Sequence, residues 1–215
     1  MRLAIFDLDG TVTRHDTLLP YVLGYLARRP WGLPRVLLAL PAVAAFALHL
    51  IDRGRLKGAW IALTLGGCRR ARLMRWTSEY VRRVQARGVF ADALEAIASH
   101  ARAGDRLVLM SASTDLYVPE LARALGFHEV ICTHVRWAGE RLVGTLATPN
   151  RRGAEKARCL GELAARFPDA PTVAYGNAAS DLEHLALAGR GVLVNGSRRA
   201  RREARRLGIT RVIWR

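Results

Sequence analysis

Two aspartates stand two residues apart in Phe6-Asp7-Leu8-Asp9-Gly10-Thr11. The residues before them, Leu3-Ala4-Ile5-Phe6, form the short apolar run of a buried strand, so Asp7 emerges where that strand ends. Side chains alternate along a strand, which puts acids at i and i+2 on one face, and Gly10 lets the backbone turn close to an anionic ligand. Carboxylates this close repel, and the pair holds if a cation sits between them or if their pKa values are driven apart. Either outcome is usable chemistry. An ordinary Asp-Gly turn is the plain alternative for the motif taken alone.

Three more features sit where strands end or helices begin. Ser111 follows Leu107-Val108-Leu109-Met110 directly, as Asp7 follows its own strand, and its hydroxyl with the next backbone N–H groups, Ala112 first, could hold an oxyanion. Lys156 opens a helix after Asn150-Arg151-Arg152-Gly153, a point charge for a phosphoryl oxygen or for the nucleophile. Gly176-Asn177-Ala178-Ala179-Ser180-Asp181 is a second glycine turn with an oxygen ligand and an acid four residues on. Singly, Ser111 reads equally as a helix cap with Thr114, Lys156 as a surface lysine and Asp181 as an N-cap. Together they supply a nucleophile, an acid/base, a hydroxyl, a cation and metal ligands.

Stepping along the chain, the elements that would carry them alternate. Strands are expected at 106–110, 130–133, 172–175, 191–194 and 211–213, and helices at 115–125, 155–167, 181–188 and 198–207, with a hairpin at 135–137 and 141–145 turning at Gly139. That order predicts an α/β, Rossmann-like three-layer fold: a parallel sheet covered on both faces, with its ligands at the carboxyl ends of the strands. Residues 1–13 and 89–215 would form this core. Residues 14–88 would form a helical insertion, with helices at 18–29, 69–87 and, just beyond it, 91–102.

Lys and Arg number 34 against 18 Asp and Glu, a net charge of +16 that favours anionic partners: phosphate esters, nucleic acid or an acidic lipid surface. Only Lys57 and Lys156 are lysines. Cys68, Cys132 and Cys159 are scattered and odd in number, which argues for a reducing compartment without disulfides or structural zinc. No HExxH pair supports a zinc hydrolase, and no basic-then-apolar leader precedes the first strand, so a cytoplasmic location is expected.

The segment 31–51 is almost wholly apolar, with Arg35 its only charge. Its uninterrupted part, Val36 to Ile51, is 16 residues long. As a helix that spans roughly 24 Å, against about 30 Å of bilayer hydrocarbon. A single crossing would also put Asp7 on the opposite side of the membrane from every later motif. Two arrangements survive: a hairpin lying on or dipping into one leaflet, for which arginines 28, 29, 35, 53 and 55 are well placed, and an apolar helix pair buried in a soluble cap. Leu73, Trp76, Tyr80 and Val84 recur at helical spacing among arginines, which suits a solvated amphipathic helix or a basic face on headgroups. Arg198 to Arg206 holds six arginines in nine residues; Ala200, Ala204 and Leu207 would pack on the sheet. The exposed arginines suit solvent or anionic lipid, and with no accompanying nucleic-acid module no nucleic-acid partner is expected.

On the four motifs and their order, the chain resembles the haloacid dehalogenase superfamily of phosphatases, subfamily IB, the branch that includes phosphoserine phosphatase. The resemblance covers nearly the whole length, with a helical cap between the first and second motifs. It implies that Asp7 is the nucleophile and takes the phosphoryl group as an aspartyl phosphate, and that Asp9 protonates the leaving alcohol and then activates water. It implies that Gly10, Thr11, Ser111, Ala112 and Lys156 bind the phosphoryl group, and that Mg²⁺ is held by Asp7, the Asp9 carbonyl, Asn177 and Asp181. Asn177 departs from the family's usual Asp, which keeps an oxygen ligand but removes a charge and leaves a catalytically silent, basic membrane- or nucleic-acid-binding protein on the same fold as an alternative. Asp16 matches the position where phosphoserine enzymes carry an acid for the substrate amine. The Arg-flanked apolar block, with Arg53-Gly54-Arg55 and the Gly66-Gly67-Cys68 turn, resembles bacterial phosphatidylglycerophosphatase C, which implies a phospholipid-type phosphate and peripheral attachment at the cytoplasmic face.

Overall fold

The computed structural model describes residues 1–29 and 32–215. Strands β1 (Leu3–Phe6), β2 (Arg106–Thr114) and β3 (Glu129–Thr133) are followed by the antiparallel hairpin β4 (Val135–Ala138) and β5 (Arg141–Leu146), then by β6 (Thr172–Gly176), β7 (Arg190–Val194) and β8 (Thr210–Val212). All but the hairpin join one parallel sheet of order β3-β2-β1-β6-β7-β8. The chain's first strand is therefore central, with Leu3 in register with both Arg106 and Thr172.

Alternation along the strands builds two cores. Ala4 and Phe6 of β1, with Leu107 and Leu109 of β2, point to one face; Leu3 and Ile5, with Val108 and Met110, point to the other. Helices α5 (Ala91–Arg102) and α6 (Val118–Ala124) cover the first face through Ala93, Ile97 and Leu121. Helices α7 (Ala154–Arg166), α8 (Leu182–Leu187) and α9 (Arg198–Arg206) cover the second through Leu160, Leu163, Leu185, Ala200 and Ala204. Each large side chain so buried contributes about 1.5–3 kcal/mol of transfer free energy, which is why this face pattern rather than local propensity sets the register.

Between β1 and β2 run α1 (Leu18–Leu26), a 3-10 stretch (Leu33–Ala39), α2 (Leu40–Ala47), α3 (Arg53–Leu65) and α4 (Arg70–Arg87). Tyr21 of α1 and Trp76 and Tyr80 of α4 pack as an aromatic group against Tyr117, and the Trp76 indole N–H donates to the Tyr21 carbonyl at 3.0 Å. Helix α3 lies so close on β5 that a Cβ on Gly144, at φ +91°, would meet the Ala62 backbone at 2.6 Å.

The α/β architecture matches the sequence reading, and several boundaries do not. Helix α1 ends at Leu26; Pro30 and Trp31, the stop and the first apolar residue of the reading, lie outside the described residues. Strand β2 does not stop at Met110 but runs to Thr114 with a shift of register against β3, so Ser111 lies inside a strand and α6 begins only at Val118. Helix α3, which the sequence reading left unassigned, starts where the Asp52 carboxylate accepts the Arg55 N–H at 2.8 Å. Leu207 does not pack on the sheet: it is 45% exposed, and Ile209 is buried instead. The apolar segment is not a buried pair. No side chain of α2 is buried, and Leu37, Leu48 and Leu50 are 63%, 69% and 69% exposed. Among the described residues no helix is long and apolar enough to cross a membrane.

Candidate active site

Three neighbouring strands, β2, β1 and β6, aim their carboxyl ends at one cavity of about 830 Å³. Asp7 is the first residue beyond β1, where its N–H still donates to the Tyr175 carbonyl at 2.9 Å. Its carboxylate is 6% exposed; Oδ2 accepts from the Thr11 hydroxyl at 3.0 Å and Oδ1 from Lys156 Nζ at 2.6 Å. Gly10, at φ +80°, turns the chain so that Asp9 faces the same cavity. Asp9 Oδ1 accepts from the Thr17 N–H at 2.7 Å and the Thr17 hydroxyl at 2.5 Å, and Oδ2 accepts from the Ser113 hydroxyl at 2.6 Å.

Lys156, on the first turn of α7, is buried and reaches a second carboxylate, Asp181 Oδ1, at 2.8 Å. One ammonium thus serves two buried acids. Asp181 has further help, since its Oδ2 accepts the Asn177 and Ala178 N–H groups at 3.2 and 2.9 Å, and despite burial its pKa stays below the ordinary carboxylate range. Asp7 lacks those donors. Burial, opposed by Lys156 and reinforced by Asp181 and Asp9, pushes its carboxyl up to about 7. Burial also raises Asp9, against the pull of Ser113 and Thr17. Lys156 is itself held above its ordinary value: burial works against its charge, and Asp7 and Asp181 outweigh it.

Of the residues singled out in the sequence, Asp7, Asp9, Gly10, Asp16, Ala112, Lys156, Asn177 and Asp181 all line this cavity. Thr11 and Ser111 stand behind its wall. Thr11 is fully buried and holds Asp7; Ser111 is fully buried, and its Oγ accepts the Ser113 N–H at 3.0 Å. The extension of β2 past Met110 is the reason: it brings Ser113, two residues on, to the position facing Asp9. Sequence reasoning missed Ser113 and Thr17, and it noted Lys57 only as a rare lysine. Lys57 comes from α3, and its Nζ donates to the Ala112 carbonyl and to Asn150 Oδ1, both at 2.6 Å. Burial lowers its pKa to about 8.

The donor set suits a hard cation. Two carboxylates sharing one ammonium leave a negative charge uncompensated at Asp7, and the groups around it are oxygens. Asn177 lies against the Asp-Gly turn; a Cβ on Gly10 would meet its amide nitrogen at 2.0 Å, so only glycine admits the amide there. Among the described residues no three His, Cys, Asp or Glu side chains form a ready-made cage. The groups that fit are Asp7, the Asp9 carbonyl and the Asn177 amide oxygen, with Asp181, both of whose oxygens are engaged, holding the turn and the lysine.

Comparison with known proteins shows the family and the fold. Residues 4–186 match the haloacid dehalogenase-like hydrolase family. Protein CicA of Caulobacter vibrioides is 32% identical over 188 residues, which cover 86% of this chain and 82% of that protein. A probable phosphatase of Mycobacterium tuberculosis is 29% identical over 205 residues, 94% of this chain and 71% of that one. Among solved structures, a phosphoserine phosphatase captured as a phospho-aspartyl intermediate analogue superposes with a TM-score of 0.66 at 15% identity, covering 94% of this chain and 90% of that one. The match spans β1 through α8 and takes in the aspartate turn, Lys156 and the Asn177–Asp181 turn; the chain belongs to the haloacid dehalogenase-like hydrolase family.

Proposed function

We propose that this chain is a Mg²⁺-dependent phosphomonoester hydrolase that works through an aspartyl phosphate on Asp7. The observation that carries the reading is the division of labour between the two acids: Asp7 is buried against a lysine, while Asp9, two residues on, is fixed by three hydrogen bonds and raised in pKa. In the first half-reaction an Asp7 carboxylate oxygen attacks phosphorus, the bond from phosphorus to the ester oxygen breaks, and the departing oxygen takes the proton of Asp9. In the second, water attacks phosphorus, Asp9 takes a proton from it, and the bond to Asp7 breaks to release inorganic phosphate. Lys156 holds Asp7 in place and supplies positive charge beside the transferring group, and the backbone at Ala112 and Ser113 forms the facing wall. Asp7, the Asp9 carbonyl and Asn177 would hold Mg²⁺, which would supply positive charge beside Asp7 and the phosphoryl group.

Residues 14–88 act in this reading as a cap that selects substrate, and the substrate is a phospholipid-type phosphate such as phosphatidylglycerophosphate. Leu19 and Val43 line the cavity and are also 48% and 42% exposed, so the apolar surface of 33–50 continues into the mouth of the site. Soluble monomers seldom leave such a patch uncovered. A surface of this kind, flanked by arginines, lets a lipid keep its acyl chains in an anionic leaflet while the headgroup reaches Asp7. Asp16 on the cavity rim supports a second reading, a water-soluble amino-bearing substrate such as phosphoserine. Turnover of an aryl phosphate with Mg²⁺, abolished in Asp7→Asn, tests the chemistry; its absence at every Mg²⁺ concentration refutes it. A panel of phosphatidylglycerophosphate against phosphoserine, with cosedimentation on anionic vesicles at low salt, tests the substrate and the surface. Protein that stays in the supernatant and prefers phosphoserine removes the lipid.

A further inference from the structure

The cavity does not end at the carboxylates. A second one of about 870 Å³ adjoins it, between the first turns of α3 and the segment 145–153, and Arg53, Asn150, Arg152 and Ser180 line both. The acids nearby are already engaged. Asp7 and Asp181 share Lys156, Asp9 is held by Thr17 and Ser113, Asp16 at the rim accepts the Leu19 N–H and lends its charge to Lys57, and Asp52, the acid of the second cavity, caps α3. The cations have no ion-pair partner among the described residues, although Arg53 lies over the Phe46 ring at 5.5 Å. Elsewhere arginines such as Arg28, Arg106 and Arg166 pair with Glu79 or Glu129, but among the described residues neither Arg53 nor Arg152 has a carboxylate partner or a side-chain hydrogen bond. Lys57, half-buried between them and the aspartates, meets only carbonyl oxygens, and two acceptors leave one of its three N–H donors open.

We infer that Arg53, Lys57 and Arg152 form a second anion subsite, so that the substrate is a phosphomonoester carrying another phosphate, as ester or diester, in the same molecule. The inference rests on the phosphatase reading for the first phosphate and adds what the rest of the substrate must be. Guanidinium groups suit phosphate oxygens through paired N–H donors, and the shared wall of the two cavities joins the place where one phosphate is cleaved to the place where the other is held.

Matched substrates test it. Glycerol 1,3-bisphosphate is compared with glycerol 1-phosphate, and phosphatidylglycerophosphate with phosphatidic acid in neutral detergent micelles; the first pair differs by one phosphate, the second by a glycerophosphate unit. The expected preference in kcat/KM is about tenfold or more for the doubly charged member, falling below about threefold in Arg53→Gln and Arg152→Gln. A preference in both pairs assigns the subsite to phosphate in general, and one confined to the lipid pair assigns it to a headgroup diester. Equal kcat/KM within both pairs, or variants that lower both members by the same factor, overturns the inference. If the protein turns over no phosphomonoester at all, the phosphatase reading fails separately, and calorimetry decides the subsite. Binding of glycerol 1,3-bisphosphate that is lost in the two variants then supports the subsite, and no binding to the unsubstituted protein overturns it.

Discussion

Replacing Asp7 by asparagine should make the protein more stable at neutral pH as it removes the proposed nucleophile. Burial raises the Asp7 carboxyl from 3.8 to about 7 in spite of Lys156, so the folded state binds that proton more tightly than the unfolded chain does. A group whose folded pKa is raised contributes stability that is fully present below the unfolded value and lost as pH rises through the folded one. Between 3.8 and about 7 the loss, at about 1.4 kcal/mol per tenfold in proton affinity, comes to about 4 kcal/mol. Asparagine keeps the shape and has no proton to lose. Urea unfolding in chelator, followed by the fluorescence of buried Trp76, should therefore show the two proteins matched near pH 4, with Asp7→Asn ahead by about 2–4 kcal/mol at pH 8 at unchanged m-value. Millimolar Mg²⁺ should narrow the gap by stabilising only the protein that retains the carboxylate. Asp7→Asn less stable at pH 8, or a gap independent of pH, would show that attraction to Lys156 outweighs desolvation and refute the electrostatic account of the site.

Three other outcomes follow from the same contacts. Thr17→Val removes the hydroxyl that donates to Asp9 Oδ1 at 2.5 Å but keeps the amide; kcat/KM should fall roughly tenfold, and because Asp9 must carry its proton in the first half-reaction, the limb of the kcat/KM profile that it sets, falling as pH rises, should move to higher pH. Lys57, lowered to about 8, loses its charge as pH rises through that value, so kcat/KM should decline there, and Lys57→Arg should carry the decline at least one pH unit higher. Gly10→Ala forces a Cβ to within 2.0 Å of the Asn177 amide at φ +80°; it should cost about 1–2 kcal/mol of stability, read by thermal unfolding, and raise the Mg²⁺ needed for half-maximal activity about tenfold or more.

Much of this was legible in the sequence, because β1, β2 and β6 are largely buried and announce themselves as short apolar runs leading to chemistry-bearing residues. Asp7, Lys156 and Asp181 belong to that grammar. Thr17 and Ser113 do not: the contact between Thr17 and Asp9 depends on a chain reversal at Gly10, and Ser113 faces Asp9 only because β2 continues past Met110 with a shifted register. Neither follows from any period in the sequence. Helix α3 was hidden because Gly54 and Gly58 depress its propensity; it is held by packing on β5 instead. The apolar run 31–51 was visible, but hydropathy has no direction, and only the fold turns Leu37, Leu48 and Leu50 outward.

The central place of β1 also bears on how the chain is made. Its hydrogen-bonding neighbours lie about a hundred residues away on one side and about a hundred and seventy on the other, as the pairings of Leu3 with Arg106 and Thr172 require. During synthesis the apolar strand leaves the ribosome long before either partner exists, and at about 5–20 residues per second it waits several seconds for the first of them. Contacts so distant in sequence close late and slowly. Helices α1 and α4 have each other as partners and can form in that interval, whereas α3 waits for β5, so the sheet and the proposed site at its edge are among the last parts of the molecule to come into being.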